Sequence, residues 1–168
     1  MKISTLAQSL AVLSLFAVGA ASAAEMGGNP LADHVRTAND RFKDVKVATA
    51  EGYGPIPCAD GLEGGSMGVH YVNMDYLKDD AVNLDKPEAI LYEPEADGTM
   101  KLMAVEYITY KGPNALEGHL FNFLGTPNRY GLPALYELHV WAWQPNHAGT
   151  FADMNMDASC AAMPTPAK

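Results

Sequence analysis

Two hydrophobic periods run along this chain. Between residues 30 and 43, Leu31, Val35, Ala38 and Phe42 recur at helical spacing, with Asp33, Arg36, Asn39 and Asp40 on the other side. That stripe predicts one amphipathic helix opening at Asn29-Pro30 and covering a core. From residue 69 onward the period shortens to two. Residues 69–73, 89–92, 101–110 and 135–143 read as strands, the last ending near Trp143. The second and third of these form a hairpin across residues 93–99, with Asp97-Gly98 at the turn. Residues 45–50 fit a short strand or a continued helix. Residues 75–85 are polar, a surface loop or one helical turn. Residues 111–133 form a long connection punctuated by Gly and Pro, with an aromatic patch at residues 120–124. Connections of this length in a compact domain are often functional, as a lid or a cavity rim. One helix followed by antiparallel strands predicts an α+β domain with a mostly antiparallel curved sheet or small open barrel.

The first residues have a different pattern. Lys2, the apolar run of residues 6–18 and Ala21-Ser22-Ala23 read as a secretory signal peptide, residues 1–23, cleaved after Ala23. The run is shorter than the roughly 20 residues that a spanning helix needs, and no later segment is long and apolar enough to span. Residues 24–168 are then a single globular domain with frayed ends, expected in a periplasm or outside the cell. The formal net charge is −9, and it becomes one unit more acidic once Lys2 leaves. Scattered acids with few cations argue against nucleic acid or an anionic membrane surface as a partner. In an oxidising compartment the simplest reading of Cys58 and Cys160 is one disulfide. Closing a loop of about 100 residues is worth up to roughly 4–5 kcal/mol in the chain-entropy account.

Strand alternation turns three polar residues into candidates for chemistry. In residues 102–108, Glu106 shares its face with Leu102, Ala104 and Ile108. By the same count His139 shares a face with Leu135, Trp141 and Trp143, and His70 lies in a third strand between Val69 and Tyr71. A carboxylate on an apolar face is costly unless paired, protonated or bound to a metal. If the three strands face one interior, His70, Glu106 and His139 form a two-histidine, one-carboxylate site for zinc, copper or iron, with open positions for water or substrate. The plainer alternative is a salt bridge between Glu106 and a buried histidine. A thioether set of Met154 and Met156 near His147 would suit copper(I).

Other chemistries lack their residues. There is no Gly-x-Ser-x-Gly elbow, no His-Glu-x-x-His, no dinucleotide fingerprint and no phosphate cradle in residues 61–68. Residues 75–85 lack the ligand order of an EF-hand loop. Nothing in the pattern sets the separation of Glu106 and Glu137 that a glycosidase pair requires.

With these residues assembled, the chain resembles a family of exported bacterial single-domain proteins of unassigned function. The shared pattern is Gly52-Tyr53 before Cys58, Met67-Gly68-Val69-His70-Tyr71-Val72-Asn73, Val105-Glu106-Tyr107 and Leu138-His139-Val140-Trp141. It continues through Asn146, Gly149, Phe151 and Asn155 to Cys160. Members often carry Pro in place of His147. The resemblance implies no activity, but it does imply that His70, Glu106 and His139 belong to family motifs.

The sequence therefore points first to an exported protein with a transition-metal site. The runner-up is a non-catalytic binder of a small apolar ligand, with the aromatic strand and residues 111–133 as its rim. A third reading is a structural or interaction protein with a buried His/Glu network.

Overall fold

A computed structural model describes residues 28–61 and 63–163, so the expected signal peptide and the last five residues lie outside it. The N-terminal pattern folds as expected at its start. The Asn29 side chain accepts from the backbone N–H groups of Leu31 and Ala32, and Pro30 opens α1, Pro30–Asn39. The expected helix tightens into a 3-10 turn at Asp40–Lys43, and a separate helix, α2 (Val45–Ala50), follows under an Asp44 cap.

The strands are β1 (Tyr53–Pro55), β2 (Ala59–Asp60), β3 (Ser66–Asn73), β4 (Ala89–Pro94), β5 (Met100–Thr109), β6 (Ala115–Leu116), β7 (His119–Leu120), β8 (Asn122–Leu124) and β9 (Leu135–Val140). A short helix, α3 (Met74–Asp79), follows β3 and takes up part of the expected polar loop. The main sheet runs β1-β3-β4-β5-β9-β8, with β2 also on β3, and all its pairings are antiparallel. It does not close into a barrel. The domain is α+β, and no helix among the described residues is long and apolar enough to cross a membrane.

The two faces of the sheet are covered differently. On one, Leu31 and Val35 of α1 pack on Val105, Tyr107, Leu138 and Val140, while Phe42 and Ala48 pack on Ile90, Tyr92 and Leu102. The other face carries Leu91, Ala104, Ile108, Leu135 and Trp141. The short helix α3 reaches it only through Leu77. The loop of residues 125–133 contributes Tyr130 and Leu132, and the C-terminal stretch contributes Met154 and Ala158. The stretch is fixed by the Cys58–Cys160 disulfide, whose cysteines stand 102 positions apart in sequence, and by a backbone bridge between Ser66 and Asn155. Gly68 matters to this packing. Its φ is +81°, and a Cβ there would sit 2.4 Å from the Tyr92 carbonyl oxygen, so only glycine lets β3 lie this close to β4.

One strand-face expectation needs correcting. Leu91 pairs with Ala104 but Tyr92 pairs with Leu102, so Met103 is an extra residue, a β-bulge. Leu102 therefore turns to the helix-covered face and does not share a face with Glu106. The Met103 carbonyl accepts from the backbone N–H groups of Trp143 and Gln144, which tether the chain after β9. That strand ends at Val140, short of Trp143, and Trp143 crosses to the helix side, where its indole N–H donates to Asp40.

Glu88 closes the β4 end of the sheet. Its carboxylate accepts from the Ile108 backbone N–H at 2.8 Å, and the side chain is fully buried. Burial pushes its pKa up from 4.5 to about 8, so the folded chain holds a proton that the unfolded chain releases first. Below about pH 4.5 both states are protonated and the group costs nothing. Between about 5 and 8 it should lower stability by roughly 1.4 kcal/mol per pH unit, levelling off above. Glu88→Gln keeps a carbonyl acceptor for Ile108 and should flatten that slope, as measured by urea denaturation at several pH values.

Candidate metal centre

The three polar residues singled out by strand alternation meet on the face opposite α1 and α2. Glu106 on β5 lies directly across from His139 on β9. His70 reaches the pair from β3, two strands away from β5. It can do so because the residues between are small: Ala89 lies across from Glu106, and Ala104 shares the row of His70 through Leu91. His70 Nε2 is 3.4 Å from Glu106 Oε2, and His139 Nε2 is 3.8 Å from Glu106 Oε1. All three side chains are 0% exposed, and one ligand atom from each falls within 4.8 Å of the others. The group could hold a metal ion.

Two residues that sequence reasoning did not identify complete the cluster. Arg129 Nη2 donates to Glu106 Oε1 at 3.0 Å and to Glu137 Oε2 at 3.1 Å, and Tyr130 donates its hydroxyl proton to Glu106 Oε2. Both stand on the loop of residues 125–133, whose shape is set from within by Asn128. The Asn128 amide donates to the carbonyls of Gly125, Leu132 and Pro133, and its carbonyl accepts from the backbone of Tyr130 and Leu132. The long connection thus divides: its second half packs on the sheet through Tyr130 and Leu132, and its first half contains β6, β7 and β8. A signal for Arg129 was present: a carboxylate facing a core demands a countercharge, and the longest loop carries Arg129 beside an aromatic residue.

Burial sets the protonation of the cluster. The His70 ring is held neutral because its surroundings disfavour charge, with Arg129 and His139 adding repulsion. Glu137 is pushed up to about 9, mainly by burial and then by the Glu106 carboxylate, so it carries a proton at neutral pH. Burial also raises the Tyr130 hydroxyl well above its usual range. On the far side of His139, Asp153 Oδ1 lies 3.7 Å from Nδ1, and the Asn122 amide donates to the same oxygen. The His139 ring and the Asn122 amide hold Asp153 below the ordinary carboxylate range against its partial burial. Glu137, His139 and Asp153 form a second group of potential ligands that shares His139 with the first.

One feature separates this cluster from a closed salt-bridge network. The Nε2 atoms of His70 and His139, which face Glu106, are buried without a hydrogen-bond partner, whereas the Gly68 backbone lies beside the His70 ring and Asp153 beside His139 Nδ1. Solvent comes closest at Asp153, 44% exposed, and at Arg129, 19% exposed.

The remaining candidates lie elsewhere. His147 is exposed and pairs with Asp157, while Met156 is exposed and Met154 packs against the core of this face. The aromatic residues considered for a pocket rim separate: Phe121 is buried on the helix side and Trp141 on the other, while Phe123 is exposed. No protein-family model matches the chain, and comparison with curated proteins and with solved structures returns no match.

Charge decides which carboxylate matters to stability. Removing Glu106 leaves the Arg129 guanidinium without its ionised partner, so Glu106→Ala should destabilise by roughly 3–5 kcal/mol. Glu137→Gln replaces a protonated acid by a near-isosteric amide and should stay within about 1 kcal/mol of the parent at pH 7. Urea denaturation of the two variants checks both values.

Proposed function

We infer that the protein is an exported binder of a transition-metal ion, held by His70, Glu106 and His139. One observation carries the reading: the Nε2 atoms of His70 and His139 are buried beside the Glu106 carboxylate and neither has a hydrogen-bond partner. Leaving such groups unpaired costs about 1–3 kcal/mol each, whereas a bound cation would use one lone pair from each ring. The neutral state of His70 suits a ligand. A proton on His139 Nδ1, facing Asp153, frees the Nε2 lone pair toward Glu106; this carboxylate–histidine arrangement commonly backs a metal ligand. In this structure Arg129 and Tyr130 occupy the Glu106 oxygens that face His139 and His70.

Two imidazoles and one carboxylate suit zinc, copper or iron and leave positions open for water or a substrate. Bonds of about 2 Å bring ligand atoms to about 3–4 Å from one another, so the cluster needs only a small contraction around an ion. The pattern of Cys58 and Cys160 and the signal-like first residues favour an oxidising compartment, where the ion would be met after export. The motifs that carry the family resemblance supply all three ligands, on β3, β5 and β9.

Protein purified without a chelating tag should contain, or take up, one equivalent of zinc, copper or iron per chain, measured by elemental analysis and calorimetric titration. His70→Ala and His139→Ala should each weaken uptake by roughly 100-fold or more. If no metal is found in stoichiometric amount and none of the three ions raises the melting temperature, the reading is wrong. The cluster is then a structural network, and changing Glu106 to Gln should alter stability alone.

A further inference from the structure

The loop of residues 125–133 and a metal ion would compete for the same carboxylates. Every side-chain hydrogen bond and ion pair that ties this loop to the rest of the described chain ends on Glu106 or Glu137: Arg129 to both, and Tyr130 to Glu106. The other bonds made by Asn128, Arg129 and Tyr130 stay within the loop. Glu106 Oε1 is the oxygen nearest His139 Nε2 and also the one that holds Arg129. A divalent cation bound there would sit within a few ångströms of the guanidinium and repel it, in a setting where water screens little.

The hold is also incomplete. Arg129 makes all three of its described hydrogen bonds through Nη2, to Glu106, Glu137 and the Tyr130 hydroxyl, while its buried Nε has no partner. The side chain already reaches solvent, so the guanidinium has a short way out. Asn128 cross-links both feet of the loop, which makes it a unit that moves as one. Tyr130 and Leu132 rest on the apolar surface of this face and give the loop a seat to return to.

We propose that residues 125–133 are a cation-responsive lid: Arg129 and Tyr130 hold it down while the His70, Glu106 and His139 site lacks a divalent ion, and a bound ion releases it. This rests on the metal-binding reading above. Arg129 is then a built-in competitor that makes occupancy reversible, and the lid shows the outside whether the site is filled.

Hydrogen–deuterium exchange on the full chain, with and without one equivalent of Zn²⁺, tests the lid directly. Amides of residues 126–132 should exchange roughly tenfold faster with zinc, while those of β3, β5 and β9 slow. Arg129→Gln should bind zinc roughly tenfold tighter than the parent, with a lid that exchanges fast whether or not zinc is present. Tyr130→Phe, which removes one tie without changing charge, should tighten binding by a few-fold and still close. If the parent binds zinc while exchange in residues 126–132 is unchanged or slowed, the lid is refuted and the metal site stands. An Arg129→Gln protein that binds zinc no tighter than the parent refutes it equally. Should that variant not fold, the parent and Tyr130→Phe decide the matter. A parent that binds none of zinc, copper or iron overturns both readings.

Discussion

The buried carboxylate of Glu106 is the constraint on which this face of the sheet depends. It stands on a central strand, wholly out of water, and everything near it is arranged to make that tolerable. Arg129 at 3.0 Å offers an attraction of about 5 kcal/mol at an effective dielectric near 20, but burying each ion costs several kcal/mol. The two nearly cancel. The pair therefore fixes a geometry more than it adds stability: it places the loop of residues 125–133 and aims Tyr130. The two imidazoles beside this pair add nothing that an apolar side chain of similar size could not provide, unless their ring nitrogens are used.

The sheet supplies rigidity at little cost. Its other face is an ordinary core, where α1 and the residues after it cover Val105, Tyr107, Val140, Ile90 and Tyr92. The opposite face has a core of its own and, beside it, holds polar groups under loops. Small residues at Ala89 and Ala104 leave the room, and Gly68 draws β3 close enough for His70 to reach across.

Much of this was legible from pattern. The helical stripe, the hairpin and the α+β class follow from periods of 3.6 and 2, because burial of one face imposes those periods directly. The closeness of Glu106 and His139 needed only two neighbouring strands with their polar residues on the core face. The arrival of His70 depended on strand order, which no local pattern encodes. The placement of Leu102 failed at the bulge at Met103, since one extra residue reverses every later assignment and leaves no mark in composition. Trp143 failed for a related reason: the strand ends three residues before it, and the tether to Met103 turns the chain over. Arg129 and Tyr130 come from a loop, where side-chain direction has no period to read. Only the demand for a countercharge pointed there.

The members of the cluster stand far apart along the chain, at positions 70, 106, 129, 139 and 153, and the stretch that carries the last of them is pinned by Cys160. Such a site has a high contact order: no fragment, hairpin or half-sheet holds a working part of it. A chain emerging from its N-terminus would acquire its helices and its first hairpin well before it possessed the cluster. The cluster is thus the last feature this fold would assemble as it forms, and among the first it would lose on partial opening.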